Sequence, residues 1–231
     1  MKKIFLSVII PCFNESNTIL NVIDKIYRQR LKVKIEVIVI DDGSSDGSPD
    51  IIKKIRKPNF TYKIFKKNKG KGFAVKAGIK LAKGDYILIQ DADLEYDPKD
   101  YKVLLNPIFE YGADVVYGSR FKGGDSIRLV YFVNALANKF LTFLFNCFSN
   151  LNFTDIETGY KLIKRSLLKD IDIVETGFGV EIEITAKLCK ITNKFYEVGI
   201  SYNGRTYDEG KKIGLKDGLR AFYAIIKYNI F

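Results

Sequence analysis

Histidine is absent from all 231 residues. That removes every mechanism built on an imidazole base, a histidine-metal centre or a Ser-His-Asp constellation. Cysteine is scarce: Cys12, Cys147 and Cys189 are scattered, odd in number and without paired spacing. They read as reduced thiols in a reducing compartment, neither a disulfide framework nor a zinc site. Long hydrophobic runs are missing as well. The nearest candidate, residues 129–153, is interrupted by Lys139 and several asparagines, whereas a bilayer span needs roughly 18–20 uncharged apolar residues. The apolar start at 5–10 is broken by Ser7 and ended by Pro11, with no small-residue cleavage site after it. It predicts a buried first strand, not a secretion signal. Chemistry here falls to carboxylates, cations, backbone and metal.

Positive charge is in excess. Lys and Arg number 38 against 27 Asp and Glu, a formal charge of +11, and 47% of residues are hydrophobic. Such apolar content excludes disorder, and the length suits one core. A basic chain without a membrane span has three usual partners: nucleic acid, an anionic lipid surface, or phosphorylated small molecules. Composition does not choose among them; residue order does.

The first half alternates. After the strand at 5–10, Asn14-Glu15-Ser16-Asn17 opens a helix in which Ile19, Val22, Ile23 and Ile26 recur at helical spacing. Further strands are predicted at 37–40, 62–65, 86–89 and 115–117. The intervening helices start at Ser48 as N-cap with Pro49 at the first helical position, after Gly72, and at Asp97. Strand–helix alternation with two-sided apolar strands implies an α/β fold, a Rossmann-like, mostly parallel sheet with helices on both faces. In such sheets ligands sit outside the carboxyl ends of the strands. Every polar cluster of this half falls at such an end, so the clusters are expected to converge on one crevice. From about residue 121 the alternation gives way to a helix candidate at 129–147, a segment at 154–163, a helix around 181–190, a strand at 195–200 and a helix near 214–228. No repeat or linker intervenes, so 1–231 reads as a single domain, with the apolar stripe 129–148 expected mainly in the core.

Asp91-Ala92-Asp93 follows a strand directly. Two carboxylates one residue apart can meet a single hard cation and leave positions for phosphate oxygens; the bland alternative is a solvated turn. Asp41-Asp42 hold the matching place after another strand, where carboxylates can accept from a base N–H or a ribose hydroxyl. Asp46 and Ser48 read as turn and cap chemistry. The lysine-glycine loop 66–72 precedes a helix N-terminus, which suits an anion, and a merely solvated loop is its alternative. It lacks the Gly-Lys-Ser/Thr arrangement of a P-loop.

Together, Pro11-Cys12-Phe13-Asn14-Glu15, Asp41-Asp42-Gly43-Ser44-Ser45-Asp46, Asn68-Lys69-Gly70-Lys71-Gly72, Gln90-Asp91-Ala92-Asp93 and Gly118-Ser119-Arg120 resemble the family-2 glycosyltransferases of the GT-A fold. Later segments, Thr154-Asp155-Ile156-Glu157-Thr158-Gly159-Tyr160-Lys161, Gly177-Phe178-Gly179-Val180-Glu181-Ile182-Glu183 and the basic stretch from Tyr202 to Ile213, resemble the branch that makes polyprenyl- or dolichyl-phosphate mannose or glucose. The resemblance implies that about 1–120 bind a nucleotide sugar, and that about 121–231 form an acceptor-side extension with a basic C-terminal helix. The turn carrying Pro11, Phe13 and Glu15 would line base and ribose, and Asp42 with Asp41 would hold the base. Lys71, Gly72 and Ala92 would touch the nucleotide sugar. Asp91 and Asp93 form the metal-and-sugar-nucleotide motif, with Asp93 the direct ligand to Mg²⁺ or Mn²⁺ and Glu95 a further metal contact. Arg120, Arg205 and Lys211 become phosphate partners, for the leaving diphosphate or a lipid phosphate. Asp91, Asp93, Arg120 and Asp155 make up the catalytic group.

The implied activity is an inverting, metal-dependent transfer of a hexose from a UDP- or GDP-sugar to a polyprenyl phosphate, by a cytoplasmic protein peripheral to the membrane. A divalent cation and Arg or Lys would stabilise the departing diphosphate. A lipid phosphate is already anionic and needs no base, which suits a chain without histidine; a sugar hydroxyl would need one, from Asp155, Glu157 or Glu181. Glu183 reads as structural. The stripe 129–148, with Arg128 and Lys139, offers an in-plane membrane helix as the alternative to core, and the chain ends without transmembrane helices. Three alternatives remain: transfer to a saccharide or lipopolysaccharide hydroxyl, non-catalytic sugar-nucleotide binding, and nucleic-acid binding. The last is disfavoured, because lysines spread through every segment while the acids cluster where a duplex would approach.

Overall fold

Period-two burial divides the sheet between two cores. In β1 (Phe5–Cys12), Leu6, Val8 and Ile10 face one apolar cluster and Ile9 the other. In β2 (Lys34–Asp41), Val37 and Val39 oppose Ile38 and Ile40 in the same way. Such strands are apolar on both faces because helices cover both. The computed structural model describes residues 4–123, 126–129, 131–206, 208–209 and 214–230.

Between the first strands lies α1 (Ile19–Arg28), which buries Ile19, Val22, Ile23 and Ile26, the residues its helical spacing singles out. α2 (Ser48–Lys54) follows β2 and leads to β3 (Phe60–Ile64). Ser48 is the first helical residue, not the cap; Gly47 takes that place at φ 88°, where a missing β-carbon is an advantage. α3 (Lys71–Leu81) returns to β4 (Tyr86–Ile89). Asp97 caps a 3₁₀ turn that runs into α4 (Tyr101–Tyr111), and Gly112 ends that helix in the left-handed conformation. β5 (Val115–Ser119), α5 (Phe132–Ser149), β6 (Lys161–Lys164), α6 (Arg165–Leu168), α7 (Val180–Cys189), β7 (Phe195–Gly199) and α8 (Leu215–Ile230) complete the order.

The sheet runs β3-β2-β1-β4-β6-β5-β7. Pairing is parallel except where β6 lies antiparallel between β4 and β5. The strand order reverses between β1 and β4, and their carboxyl ends open the crevice where such sheets bind ligands. Strands from both halves of the chain share this one sheet.

The expectation for the stripe 129–148 is overturned. α5 buries only Leu141, Thr142 and Phe145, because the body of the protein reaches it on one side alone. Leu129 is 94% exposed, Phe132 78%, Val133 72% and Phe143 65%. Among the described residues no helix is long and apolar enough to cross a membrane.

Candidate active site

Turns at four strand ends meet. Past β1, Asn14 takes a left-handed φ of 54°, and the turn is stitched to the one after β2. Asn14 N–H donates to Ser44 Oγ (2.9 Å), Ser45 N–H to Asn14 Oδ1 (2.8 Å) and Glu15 N–H to Ser48 Oγ (3.0 Å). Asp46 accepts from both the hydroxyl and the N–H of Ser48 and from Ser16 N–H; against the pull of burial, these bonds hold it at about 2. Asp46 and Ser48 are turn chemistry, as the sequence suggests.

Asp41 and Asp42 part company. Asp42 accepts from Lys69 N–H (3.0 and 3.1 Å) and Gly70 N–H (2.7 Å), so the anion at the N-terminus of α3 is the chain's own carboxylate. Burial still raises it above the usual aspartate range. Asp41 is fully buried; its Oδ1 accepts from Ser44 N–H (3.1 Å), while Oδ2 has no hydrogen-bond partner among the described residues. A buried orphaned acceptor calls for an explanation.

Lys71, the first residue of α3, spans the crevice. Its ammonium lies 2.7 Å from Asp91 Oδ1 and 2.7 Å from Glu181 Oε1 at the start of α7. Burial alone would lower its pKa; the two carboxylates raise it well above the lysine range. Gly72 has no room for a side chain, since a β-carbon there would overlap the Glu175 carbonyl. Gly159 is bare for a similar reason: a β-carbon would overlap Asp91 Oδ2. Ala92 is buried in the core behind the motif.

Asp93 and Glu95 are turned by Leu94, which sits at φ 63°, a costly conformation for a branched side chain and one that concentrates at functional sites. Arg205 closes on them. Its Nη2 lies 2.8 Å from Asp93, its Nε 3.3 Å from Glu95 and its Nη1 3.5 Å from Glu15. Glu95 also accepts from Arg205 N–H (2.9 Å) and Tyr202 O–H (2.8 Å). Burial, then the charges of Asp91 and Glu95, push Asp93 up to about 7 even though Arg205 opposes them.

On the far side, Arg120 and Asp155 form a two-pronged pair, both contacts 2.7 Å. Asp155 is fully buried and also accepts from Arg120 N–H (3.0 Å) and Asn138 (3.2 Å). Glu197 holds the backbone of Thr154 and Asp155 from β7. The Arg120 guanidinium lies 5.3 Å from the Tyr202 ring centre. Glu183 accepts from Val174 and Glu175 N–H and pairs with Lys187, a structural carboxylate. Phe13 is 38% exposed at the crevice rim, and Pro11 is still within β1. Lys211 lies outside the described residues. Sequence reasoning missed Asn138 and Glu197, lone polar residues with no local pattern to mark them, and, although Tyr202 opens a quoted stretch, it missed that residue's bond to Glu95.

Asp91, Asp93 and Glu95 are hard oxygen donors of the kind that take Mg²⁺ or Mn²⁺. The raised Asp93 registers their mutual repulsion, and Arg205 supplies the countercharge in this structure. Among the described residues no three acidic or thiol groups converge on one ion position. The donor set therefore fits a cation held by one or two carboxylates and completed by phosphate oxygens, the ordinary mode for Mg²⁺.

Comparison with known proteins bears on this crevice. The model of Glycosyl transferase family 2 matches residues 7–172. A dolichol-phosphate mannosyltransferase of Pyrococcus furiosus is 27% identical over 229 residues, covering 96% of this chain and 64% of the relative. Glycosyltransferase AglJ of Haloferax volcanii is 30% identical over 202 residues, covering 86% of this chain and 63% of the relative. The chain thus spans just under two thirds of those two transferases; it spans 93% of an uncharacterized protein of Methanocaldococcus jannaschii, 32% identical over 219 residues. Among solved structures, glucosyl-3-phosphoglycerate synthase from Mycobacterium tuberculosis, in complex with Mn²⁺, UDP and glucosyl-3-phosphoglycerate, superposes with a TM-score of 0.72. That match is 21% identical and covers 99% of this chain and 81% of the synthase. The architecture is the GT-A fold.

Proposed function

This chain belongs to glycosyl transferase family 2, and from that premise we propose that it moves a hexose, with inversion, from a UDP- or GDP-sugar to a polyprenyl phosphate. One observation carries the choice of acceptor. A groove of about 200 Å³ beside Arg205 is lined by Arg128, Leu129, Tyr131, Gly204, Arg205 and Thr206, and it opens at the exposed start of α5. Two arginines, Arg128 paired with Glu209 and Arg205 with the crevice acids, lie in this lining beside the exposed Leu129, a combination that would suit a phosphate carrying a hydrocarbon tail once those pairs open.

On this reading the turn after β1 and the orphaned Asp41 Oδ2 receive the nucleoside, the carboxylate accepting from a base N–H or ribose hydroxyl. Asp93 and Asp91 would hold a divalent cation, which when bound offsets charge on the diphosphate. Arg205 is then displaced from Asp93 towards phosphate, and Arg120, kept rigid by Asp155, presents the guanidinium edge that Asp155 does not engage. A phosphate oxygen of the acceptor forms the new bond at the anomeric carbon as the bond to the diphosphate breaks, its electron pair leaving with the diphosphate. No base is required. The exposed face of α5, with Arg128 and Lys139, rests on an anionic membrane surface, which makes the protein peripheral on the cytoplasmic side. The relative named for dolichol phosphate supports this acceptor class.

Purified protein with Mn²⁺, a panel of labelled nucleotide sugars and undecaprenyl or dolichyl phosphate should yield labelled lipid. Product formed only with a saccharide hydroxyl, or only with phosphoglyceric acid, would overturn the acceptor assignment.

A further inference from the structure

Among the described residues Glu157, like Asp41, brings a buried carboxylate oxygen without a partner to the crevice. It lies in the turn between α5 and β6, two residues before Gly159, whose backbone abuts Asp91. Its Oε1 is sealed from solvent without a hydrogen-bond partner among the described residues, while the residue as a whole keeps intermediate exposure. The carboxyl therefore sits in the wall of the crevice and not in the core. Glu157 stands in the chain between Asp155, which pairs with Arg120, and Gly159, which abuts Asp91, and so between the Arg120–Asp155 arm and the Lys71–Asp91 arm.

Every nearby cation is committed elsewhere. Lys161 donates to the carbonyls of Ile156 and Thr158. Arg120 is spent on Asp155, and Lys71 on Asp91 and Glu181. Buried polar groups are ordinarily satisfied, and one that is not asks for a ligand or a water. The groups on either side are those that would face a sugar diphosphate, so the missing partner is a neutral donor, not another anion.

We infer that Glu157 is a specificity-determining residue, whose carboxyl accepts a hydrogen bond from one ring hydroxyl of the donor's hexose. The inference rests on the glycosyltransferase reading and deepens it by naming what the sugar must offer: a hydroxyl at one ring position, in one epimeric orientation. A site built to bond a hydroxyl discriminates strongly against the analogue lacking it, because its own polar group is then left unpaired.

The test compares wild type, Glu157→Ala and Glu157→Gln by calorimetry, using UDP, GDP, their glucose, mannose and galactose conjugates, and the monodeoxy forms of the tightest binder. In wild type, one deoxy form should bind about tenfold or more weakly than the parent, the effect of one hydrogen bond to a charged or strongly polar acceptor. Glu157→Ala should lose a similar factor for the parent sugar, bind the free nucleotide within about twofold of wild type, and show no further penalty for that deoxy form. Unchanged nucleotide affinity and a melting temperature at or above that of wild type in Glu157→Gln exclude a folding defect. If the deoxy penalty persists in Glu157→Ala, or all ligands weaken alike, the inference falls while the donor reading stands. If wild type binds no nucleotide sugar at all, the glycosyltransferase reading falls, and the inference with it.

Discussion

Removing Asp155 strips the Arg120 guanidinium of two 2.7 Å contacts and frees its backbone N–H and the Asn138 amide as well. Asp155 is fully buried and the Arg120 side chain is 16% exposed. Truncating one member of a buried ion pair costs about 3–5 kcal/mol, mostly for the charge left without a partner. For a chain of this size each kcal/mol moves the melting temperature by roughly 2–4 °C, so Asp155→Ala should melt about 6–20 °C lower. Arg120→Met should cost less, because Asp155 keeps the N–H of residue 120 and Asn138 as donors. The pair Arg120→Met with Asp155→Leu replaces both charges by apolar groups of similar volume. It should recover at least about 2 kcal/mol of the summed single losses, because neither charge is then stranded. Urea unfolding followed by circular dichroism measures all of this, with wild type, Arg120→Met, Asp155→Leu and their double variant arranged as a double-mutant cycle. Single losses below about 1 kcal/mol, or a double loss equal to the sum, would show that the pair is not the anchor described.

Lys71→Met should destabilise the protein by about 3–5 kcal/mol in chemical denaturation, since it strands Asp91 and Glu181 together in the crevice wall; a loss under 1 kcal/mol would mean those carboxylates find other partners. The stability gained by Glu157→Gln should grow with pH. Burial and then Glu181 push Glu157 up to about 7 from an ordinary 4.5, so the folded state binds more protons than the unfolded state between those values and wild type loses stability as pH rises through the window. Melting curves of both proteins at pH 4.5 and 8 test this, and a gain that does not change with pH would contradict it. Phe132→Ser with Phe143→Ser, both on the bare face of α5, should leave the melting temperature within about 2 °C while reducing sedimentation with anionic vesicles severalfold; vesicle binding equal to wild type would remove α5 from the membrane contact.

Much of the first half of the fold is legible because β1, β2 and β4 are buried on both faces, so an unbroken β-branched run such as residues 37–40 has one reading. The strand ends are legible because the apolar run gives way to acids, glycines and serines, which are depleted in strands. β6 is not. Its four residues, Lys161–Lys164, begin and end with lysine, and a fully buried Lys161 carries no local sign that backbone carbonyls will satisfy it. Its antiparallel place between β4 and β5 is fixed by partners more than forty residues away in sequence. α5 fails for the opposite reason. Apolar residues surround the helix, so periodicity does not say which face the protein covers, and only the packing of Leu141 and Phe145 decides. In the site, acids close together in sequence stood out, whereas Tyr202 and Arg205 reach Glu95 across more than a hundred residues.

Charge at the crevice runs against charge of the whole. The chain carries +11, yet among the described residues Asp91, Asp93, Glu95, Glu15 and Glu181 pair at the crevice with Lys71 and Arg205 alone. Asp155 cancels Arg120 in place. A nucleoside diphosphate approaching these acids would meet repulsion unless positive charge arrives with it, and a cation at Asp93 would relieve the carboxylate repulsion that, after burial, raises it, the proton passing to solvent. The acid excess is therefore the physical reason to expect a divalent ion as companion of the donor. The surplus of lysine and arginine lies outside that cluster, where its long-range field would favour an anionic surface. On the proposed function, two opposed fields would divide the work: the acidic crevice would select a metal-borne donor, and the basic exterior would favour the place where a lipid phosphate is found.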